Sequence, residues 1–352
     1  MTYQRIDELD FVRGFALLGI LLMNAIALLQ LPLPDAGTGS EEYQRLLYLL
    51  VEARFFSMFS FLFGVGFYLF IMRARDKGRN GYLLFLIRIA VLLGFGYLHS
   101  IYHPGEVLMN YAICGLLLLP FYKVNRWVNL SIGVVLLGVF AVFGAKALMP
   151  FPFMLLGVAA GQLHLFQRIQ ERRRMFEIAS VVLVAVAAAA LQYQYGLAPS
   201  EPFVPIIMEG TGDPQLEQSN HYLKAGLLIG PLVAFAYMAL LLLLLQIKLI
   251  RKLLDPMRAM GRMALTNYIG QTVLVLVAGQ WLGLEGLASW MEVLWLCLGI
   301  YLFQLIASSI WLHYFAMGPL EWLWRAATYL RWPPVFNRQR LGIGEVAAKS
   351  IL

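Results

Sequence analysis

Apolar segments close to twenty residues long recur along nearly all of this 352-residue chain. A stretch of that length suits one helical crossing of a bilayer, and its repetition leaves little room for any other class of fold. Ten spans are predicted, at about 11–30, 47–71, 82–101, 107–122, 128–148, 151–166, 176–195, 223–247, 264–282 and 290–314. Composition agrees. The chain is 61% hydrophobic and 13% charged, whereas soluble domains lie near ~45–50% apolar and ~25% charged. The expected fold is an all-α polytopic membrane protein of about ten transmembrane helices over residues 1–317. A cytoplasmic amphipathic tail, 318–352, follows it. In that tail Gly318-Pro-Leu-Glu-Trp-Leu-Trp-Arg325 reads as a short helix with Pro in its first turn. Trp322, Trp324 and Trp332 suit a headgroup boundary.

The distribution of charge sets the expected orientation. With the N-terminus in the cytoplasm, 22 of the 27 basic residues fall in cytoplasmic segments, and only Arg45 and Lys146 fall in outer loops. This count includes Arg5, Arg172, Arg338, Arg340 and Lys349. An asymmetry that alternates loop by loop is a topology signal, so both termini are expected in the cytoplasm. The same distribution accounts for the net charge of +7 and argues against nucleic acid as a partner. The acidic flank Asp7, Glu8 and Asp10 and the lack of a small-residue cleavage site argue against a removable signal peptide. Cys114 and Cys297 lie inside apolar segments and read as small buried hydrophobes. The outer loop 196–220 carries Glu201, Glu209, Asp213 and Glu217 with four prolines, and is a candidate lid.

Candidate chemistry sits where polar side chains interrupt the apolar runs. Asp10 and Arg13 are three residues apart and share one helix face. Asn24, eleven residues beyond Arg13, returns to within about 20° of that face and lies roughly 16 Å further along. This stripe either lines a passage or consists of a cap and an interhelical amide. His99, His103 and Glu106 fall within eight residues of one connector. Their readings are interfacial residues, an acid/base or acceptor site, or a metal spacing interrupted by Pro104. No metal is expected. Arg54 is either an intramembrane charge or a snorkelling one. Ala53, Ser57, Ser60 and Gly64 form a small-residue seam, and Gly157 with Gly161 forms another, so close helix contacts are expected at both. Asn267 and Gln271, echoed by Gln304 and Ser308, are interhelical glue or ligands. These residues fall at two expected mouths: Asp10, Arg13, Arg262, Asn267 and Gln271 inside, and Asn24, Arg54, His99, His103, Glu106 and Asn110 outside.

Five stretches in order resemble the YeiB-like family of bacterial membrane proteins, also described as domain of unknown function 418. They are Leu9-Asp-Phe-Val-Arg-Gly14 with Asn24, Phe59–Gly66, Gly105–Ala112, Gly261–Tyr268 and Gly318–Arg325. That family is distantly similar to transmembrane acyltransferases such as heparan-alpha-glucosaminide N-acetyltransferase, which share the Asp-x-x-Arg-Gly start and an Asn near the position of Asn24. The resemblance implies a bacterial cytoplasmic (inner) membrane protein. It further implies transfer of an acyl group from cytosolic acyl-CoA to an extracytoplasmic hydroxyl or amine on a small molecule, lipid or glycan. Arg13 and Arg262 would hold the coenzyme phosphates, with Asp10, Asn267 and Gln271 beside them. Asn24 would stabilise the oxyanion, His99 or His103 oriented by Glu106 would act as base, and Arg54 and Asn110 would meet the acceptor. The acetyltransferase has a His after that Asn, whereas Leu31-Pro-Leu-Pro-Asp35 contains none. The competing expectation is a carrier of a small or amphipathic solute, and a lipid-binding assembly protein is a third. Membrane lipids are the expected surroundings, and the oligomeric state is left open.

Overall fold

The computed structural model describes residues 6–168, 171, 173–207 and 212–337. Arg5, Arg172, Glu209, Arg338, Arg340 and Lys349, named above, lie outside the described residues. The described chain is α-helical, with α1 (Asp7–Leu28), α2 (Gly39–Leu50), α3 (Phe55–Asp76) and α4 (Gly81–Ser100) first. Next come α5 (Leu108–Leu117), α6 (Arg126–Val142), α7 (Pro150–Gln162), α8 (Leu165–Arg168) and α9 (Arg173–Tyr195). Then follow α10 (Pro214–Leu244), α11 (Lys248–Leu253), α12 (Asp255–Arg262), α13 (Ala264–Leu282), α14 (Trp290–Tyr314) and α15 (Pro319–Tyr329). Six described helical stretches are long and apolar enough to cross a membrane, and α5 and α6 are shorter apolar helices. Local signals explain several starts. Asn80 and Asn125 accept the amides of Leu83 and Trp127. Ser289 and Glu292 form a capping box at α14. Asp213 accepts from the Gln215 amide and Pro214 takes the first turn, so α10 begins well before the predicted 223.

The predicted span 47–71 is divided. α2 ends at Leu50 and α3 starts at Phe55, with Ala53 in the left-handed region at φ 61°. Arg54 sits in this break, fully buried. Its guanidinium donates to the Glu52 carbonyl, to the Gly226 carbonyl at 3.1 Å and to Gln194 Oε1 at 2.6 Å. A break in a membrane helix leaves backbone acceptors with no water to meet them, and the forked cation supplies the donors. Arg54 is therefore not snorkelling, and it is held inside the protein away from the cavity described below.

Two pairs of helices meet backbone to backbone. A Cβ on Gly64 of α3 would overlap the Met154 carbonyl, and one on Gly157 of α7 would overlap the Phe61 carbonyl. α7 is buried over most of its length, which is why it carries apolar residues on every side. Likewise a Cβ on Gly14 would strike the Met257 carbonyl, and one on Gly261 the Asp10 carbonyl, so α1 and α12 touch along their axes. The glycines that close the Asp-x-x-Arg-Gly stretch and open Gly261–Tyr268 thus do the same packing job from opposite sides.

Outward faces are apolar. α9 exposes Ile178, Val181, Val182 and Val186, and α14 exposes Leu302, Phe303, Ile306 and Ile310. Such contiguous surface belongs against lipid. The described residues of the loop before α10 pack on α2 and not over the cavity described below. Phe203 is buried, its carbonyl accepting from the Gln44 side-chain amide of α2 at 2.8 Å and its N–H donating to Gln44 Oε1 at 3.2 Å, and no described residue of the loop lines the cavity. The expected tail helix is built into the body. In α15, Glu321 accepts from the Leu265 and Thr266 amides at 2.7 and 3.1 Å, capping α13, and Trp324 donates to the Arg88 carbonyl at 2.8 Å.

Candidate functional site

A cavity of about 1500 Å³ lies between α1 and α3, with α4, α5, α13 and α15 completing its wall. The stripe predicted on α1 faces it: Asp10, Arg13 and Asn24 all line the space. Arg13 Nη1 pairs with Asp10 Oδ1 at 2.9 Å, as their spacing predicts. α3 supplies the opposite wall at helical intervals, with Phe56, Phe59, Phe63, Gly66 and Phe70 leading to Arg73 and Lys77. Three chemical zones result. One end is cationic, with exposed Lys77, Arg79, Arg325 and Arg331 and half-buried Arg13, Arg73, Arg88 and Arg262, against the carboxylates of Asp10 and Glu321. The middle is apolar and aromatic. The other end carries Glu52, Lys146 and Asn110, with Lys146 and Glu52 ion-paired and the Asn110 amide donating to the Ala147 carbonyl at 2.8 Å.

At the cationic end the arginines are held by aromatic faces. The Arg88 guanidinium lies 3.5 Å from the Trp324 ring centroid and 5.3 Å from that of Phe70. Arg79 and Arg325 approach Tyr329 at 5.5 and 5.9 Å. Cation–π contact orients a guanidinium while leaving its N–H edge free for an anion. Arg262 donates to the Ala316 carbonyl at 3.3 Å.

The His99–Glu106 connector is drawn into the protein, with His99 and His103 both buried. The reason lies at the start of α5, where the Leu108 and Met109 amides donate to Glu106 at 2.6 and 2.9 Å. Glu106 also meets His99 Nδ1 at 3.4 Å, and His99 Nε2 meets Thr272 Oγ1 at 2.9 Å. Carboxylate, imidazole and hydroxyl thus stand in a row. With Nδ1 donating to Glu106, Nε2 is left to accept from Thr272, and neither His99 nor Thr272 lines the cavity. His103 does line it. Its Nδ1 accepts the Gly105 amide at 3.1 Å, while Nε2 is buried without a partner among the described residues. Burial pushes the His103 pKa down to about 4; neighbouring His99 acts in the same direction and Glu106 opposes. Tyr268 also lines the cavity, and its buried hydroxyl is met by the Val107 backbone amide. A buried polar group left unmet costs roughly 1–3 kcal/mol, so His103 Nε2 marks where a ligand or water belongs.

The structure divides the predicted residues. Asp10, Arg13, Asn24, His103, Glu106, Asn110 and Arg262 border the cavity. Arg54, His99, Asn267 and Gln271 do not. Asn267 donates to the Met260 carbonyl at 3.0 Å and to Ser308 at 2.9 Å, and Gln271 donates to the Leu17 carbonyl at 3.2 Å and to Gln304 at 3.1 Å. The NH2 groups of both amides join α13 to α1, α12 and α14. Sequence reasoning overlooked Tyr268 and counted Arg73, Lys77, Arg79, Arg325 and Arg331 only as topology charges. The available signal was the stripe on α3, where phenylalanines at helical spacing run directly into Arg73 and Lys77. Among the described residues, no group of three or more His, Cys, Asp or Glu side chains is placed to hold a metal ion.

Comparisons with known proteins fit this geometry. Residues 5–162 match the family model described as heparan-alpha-glucosaminide N-acetyltransferase, catalytic. Residues 160–331 match the one described as protein of unknown function, DUF418. The two matches meet at the end of α7, and the cavity draws on both: His103 and Arg13 come from the first, Tyr268 and α15 from the second. An uncharacterised 39.9 kDa protein in the amylase 3′ region of Bacillus acidopullulyticus is 46% identical, covering 96% of this chain and 97% of its own. The uncharacterised YxaH of Bacillus subtilis is 28% identical over 97% of this chain and 98% of its own. The uncharacterised YeiB of Escherichia coli is 27% identical over 95% and 99%. No solved structure matches. The chain belongs to the YeiB-like family of multi-pass membrane proteins, and in it a part similar to the acetyltransferase catalytic model is followed by the DUF418 part.

Proposed function

We propose that this protein is a transmembrane acyltransferase of the bacterial cytoplasmic membrane, with ten spans and both termini in the cytoplasm. It takes its acyl group from cytosolic acyl-CoA and delivers it to a hydroxyl or amine on an extracytoplasmic acceptor. The observation that carries this reading is the order of zones along one cavity: cations, then an aromatic passage, then a small polar end. Coenzyme A has the matching order, with phosphates at one end and a thioester at the tip of a long slender arm. Arg79, Arg88, Arg325 and Arg331 would meet the phosphates, for which guanidinium forks are suited. The arm would lie against Phe59, Phe63 and Ile20, bringing the thioester beside His103, Tyr268 and Asn24.

The transfer balances without an added reagent. The acceptor oxygen or nitrogen bonds to the carbonyl carbon, the carbon–sulfur bond breaks, and the acceptor proton ends on the departing thiolate. Thiolate is a good leaving group because its conjugate acid has a pKa near ~8.5. The residues of the chain are needed to orient the two partners and to meet charge on the carbonyl oxygen.

A carrier is the second reading, and the passage open to polar groups at each end favours it in part. Its aromatic middle restricts such a carrier to amphipathic solutes. The separating measurement is thermal stability of the detergent-purified protein with acetyl-CoA, longer acyl-CoA species and free coenzyme A. Ligand bound to the native state raises the melting temperature by mass action. A saturable rise that is lost in the Arg79→Glu, Arg325→Glu double variant supports acyl transfer. No rise with any of them at millimolar concentration sinks it and leaves the carrier.

A further inference from the structure

His103 has only one ring nitrogen available to a ligand, and that nitrogen carries the proton. Nδ1 accepts from the Gly105 amide, which can only donate, so the neutral ring holds its hydrogen on Nε2. A general base needs the reverse arrangement, a lone pair pointing at the substrate. The other histidine is no substitute, because His99 is engaged on both sides by Glu106 and Thr272 and stands behind the cavity wall. What the site offers instead is donors. His103 and Tyr268 both line the cavity; His103 Nε2 is buried without a partner among the described residues, and the Tyr268 hydroxyl, met by the Val107 backbone amide, keeps its own O–H to donate. Their rings pack on the same His99, with centroids 5.4 and 5.1 Å from it, and this fixes both against one support. Glu106, tied to two α5 amides, in turn holds His99.

We propose that His103 Nε2–H and Tyr268 O–H form a paired donor site for the carbonyl oxygen of an acyl thioester. The inference rests on the acyl-transfer reading and extends it by reversing the expected role of the histidine. As the acceptor attacks, the carbonyl π pair moves onto oxygen between these two donors; as the carbon–sulfur bond breaks, it returns. No proton passes through His103. His99, Glu106 and Thr272 are positioning residues.

The test uses the full-length protein in detergent with acetyl-CoA labelled with carbon-13 at the thioester carbonyl. Infrared difference spectra report the carbonyl stretch of the bound donor, and the melting temperature reports binding separately. The expected result is a band at lower frequency than for donor in solution, moved back by Tyr268→Phe and by His103→Leu, with the melting shift retained in both. Thiol release from acetyl-CoA by membranes carrying each variant falls by about 10²–10³-fold. His103→Gln, which keeps an N–H donor but cannot take up a proton at neutral pH, retains much of the band shift and of the release. A donor that binds with its carbonyl band unshifted overturns the inference and leaves the acyl-transfer reading standing. So does His103→Gln turning over no faster than His103→Leu. If no donor binds, both fall together.

Discussion

A histidine and an arginine with similar prospects in the sequence meet opposite fates in the fold. Arg54 and His103 both interrupt apolar surroundings, and both are buried. Arg54 donates to the Glu52 carbonyl at the α2–α3 break, to the Gly226 carbonyl of α10 and to Gln194 of α9, tying the bend to two helices distant in the chain. His103 is held by a single amide and keeps one nitrogen for the cavity. Its depressed pKa has a consequence for stability. The unfolded chain takes up a proton near pH 6.5, whereas folded His103 stays neutral down to about 4. The unfolded state therefore binds more protons in that window, and folding stability falls as pH drops from about 6.5 towards 4. Above 6.5 the group contributes no pH dependence. Melting temperatures at intervals between pH 7.5 and 4.5 are expected to decline less steeply in His103→Gln than in the native protein. Parallel curves would mean that His103 titrates normally and is more open to water than its burial indicates.

The sequence made the helices and their polar stripes legible, because periodicity and length are local properties. The small-residue seams on α3 and α7 were legible for the same reason: Gly64 and Gly157 each abut a carbonyl of the partner helix. What could not be read was which polar residue faces a hollow and which faces another helix. Asn24 and Asn267 look alike in sequence, yet the first lines the cavity and the second bonds Ser308. The difference depends on a helix distant in the chain. The place of α15 was hidden likewise, since an amphipathic helix with tryptophans suits lipid or protein equally well, and here Glu321 fastens it to the start of α13. Packing of α3 on α7 makes a graded prediction. Gly64→Ala and Gly157→Ala each force two backbones apart, and each is expected to cost about 1–3 kcal/mol, read as a lower melting temperature. Gly94→Ala in α4 meets nothing within 4 Å and serves as the control, unchanged or slightly higher. Equal effects at all three positions would remove the close α3–α7 contact from the account.

A cavity with different chemistry at its two ends makes the orientation of the protein part of its function. The donor reading requires the cationic opening to face the compartment that holds acyl-CoA, while Lys146 and Glu52 face the other. The chain is well suited to a test, because its only cysteines, Cys114 and Cys297, are buried and free. Single cysteines at Arg79, Lys146 and Phe63 sample the two ends and the aromatic middle. In right-side-out membrane vesicles, an impermeant maleimide is expected to label Lys146→Cys but not Arg79→Cys, with the reverse in inverted vesicles. Phe63→Cys should react more slowly than either and be protected by acetyl-CoA in inverted vesicles, because the arm of the coenzyme fills the passage past it. A carrier behaves differently: alternating access would let Phe63→Cys react from both sides, with solute altering the balance between them. Labelling of Arg79→Cys and Lys146→Cys from the same side would overturn the two-ended passage itself. Protection of Phe63 from one side only would tie the aromatic middle to the donor and assign the small polar end to the acceptor.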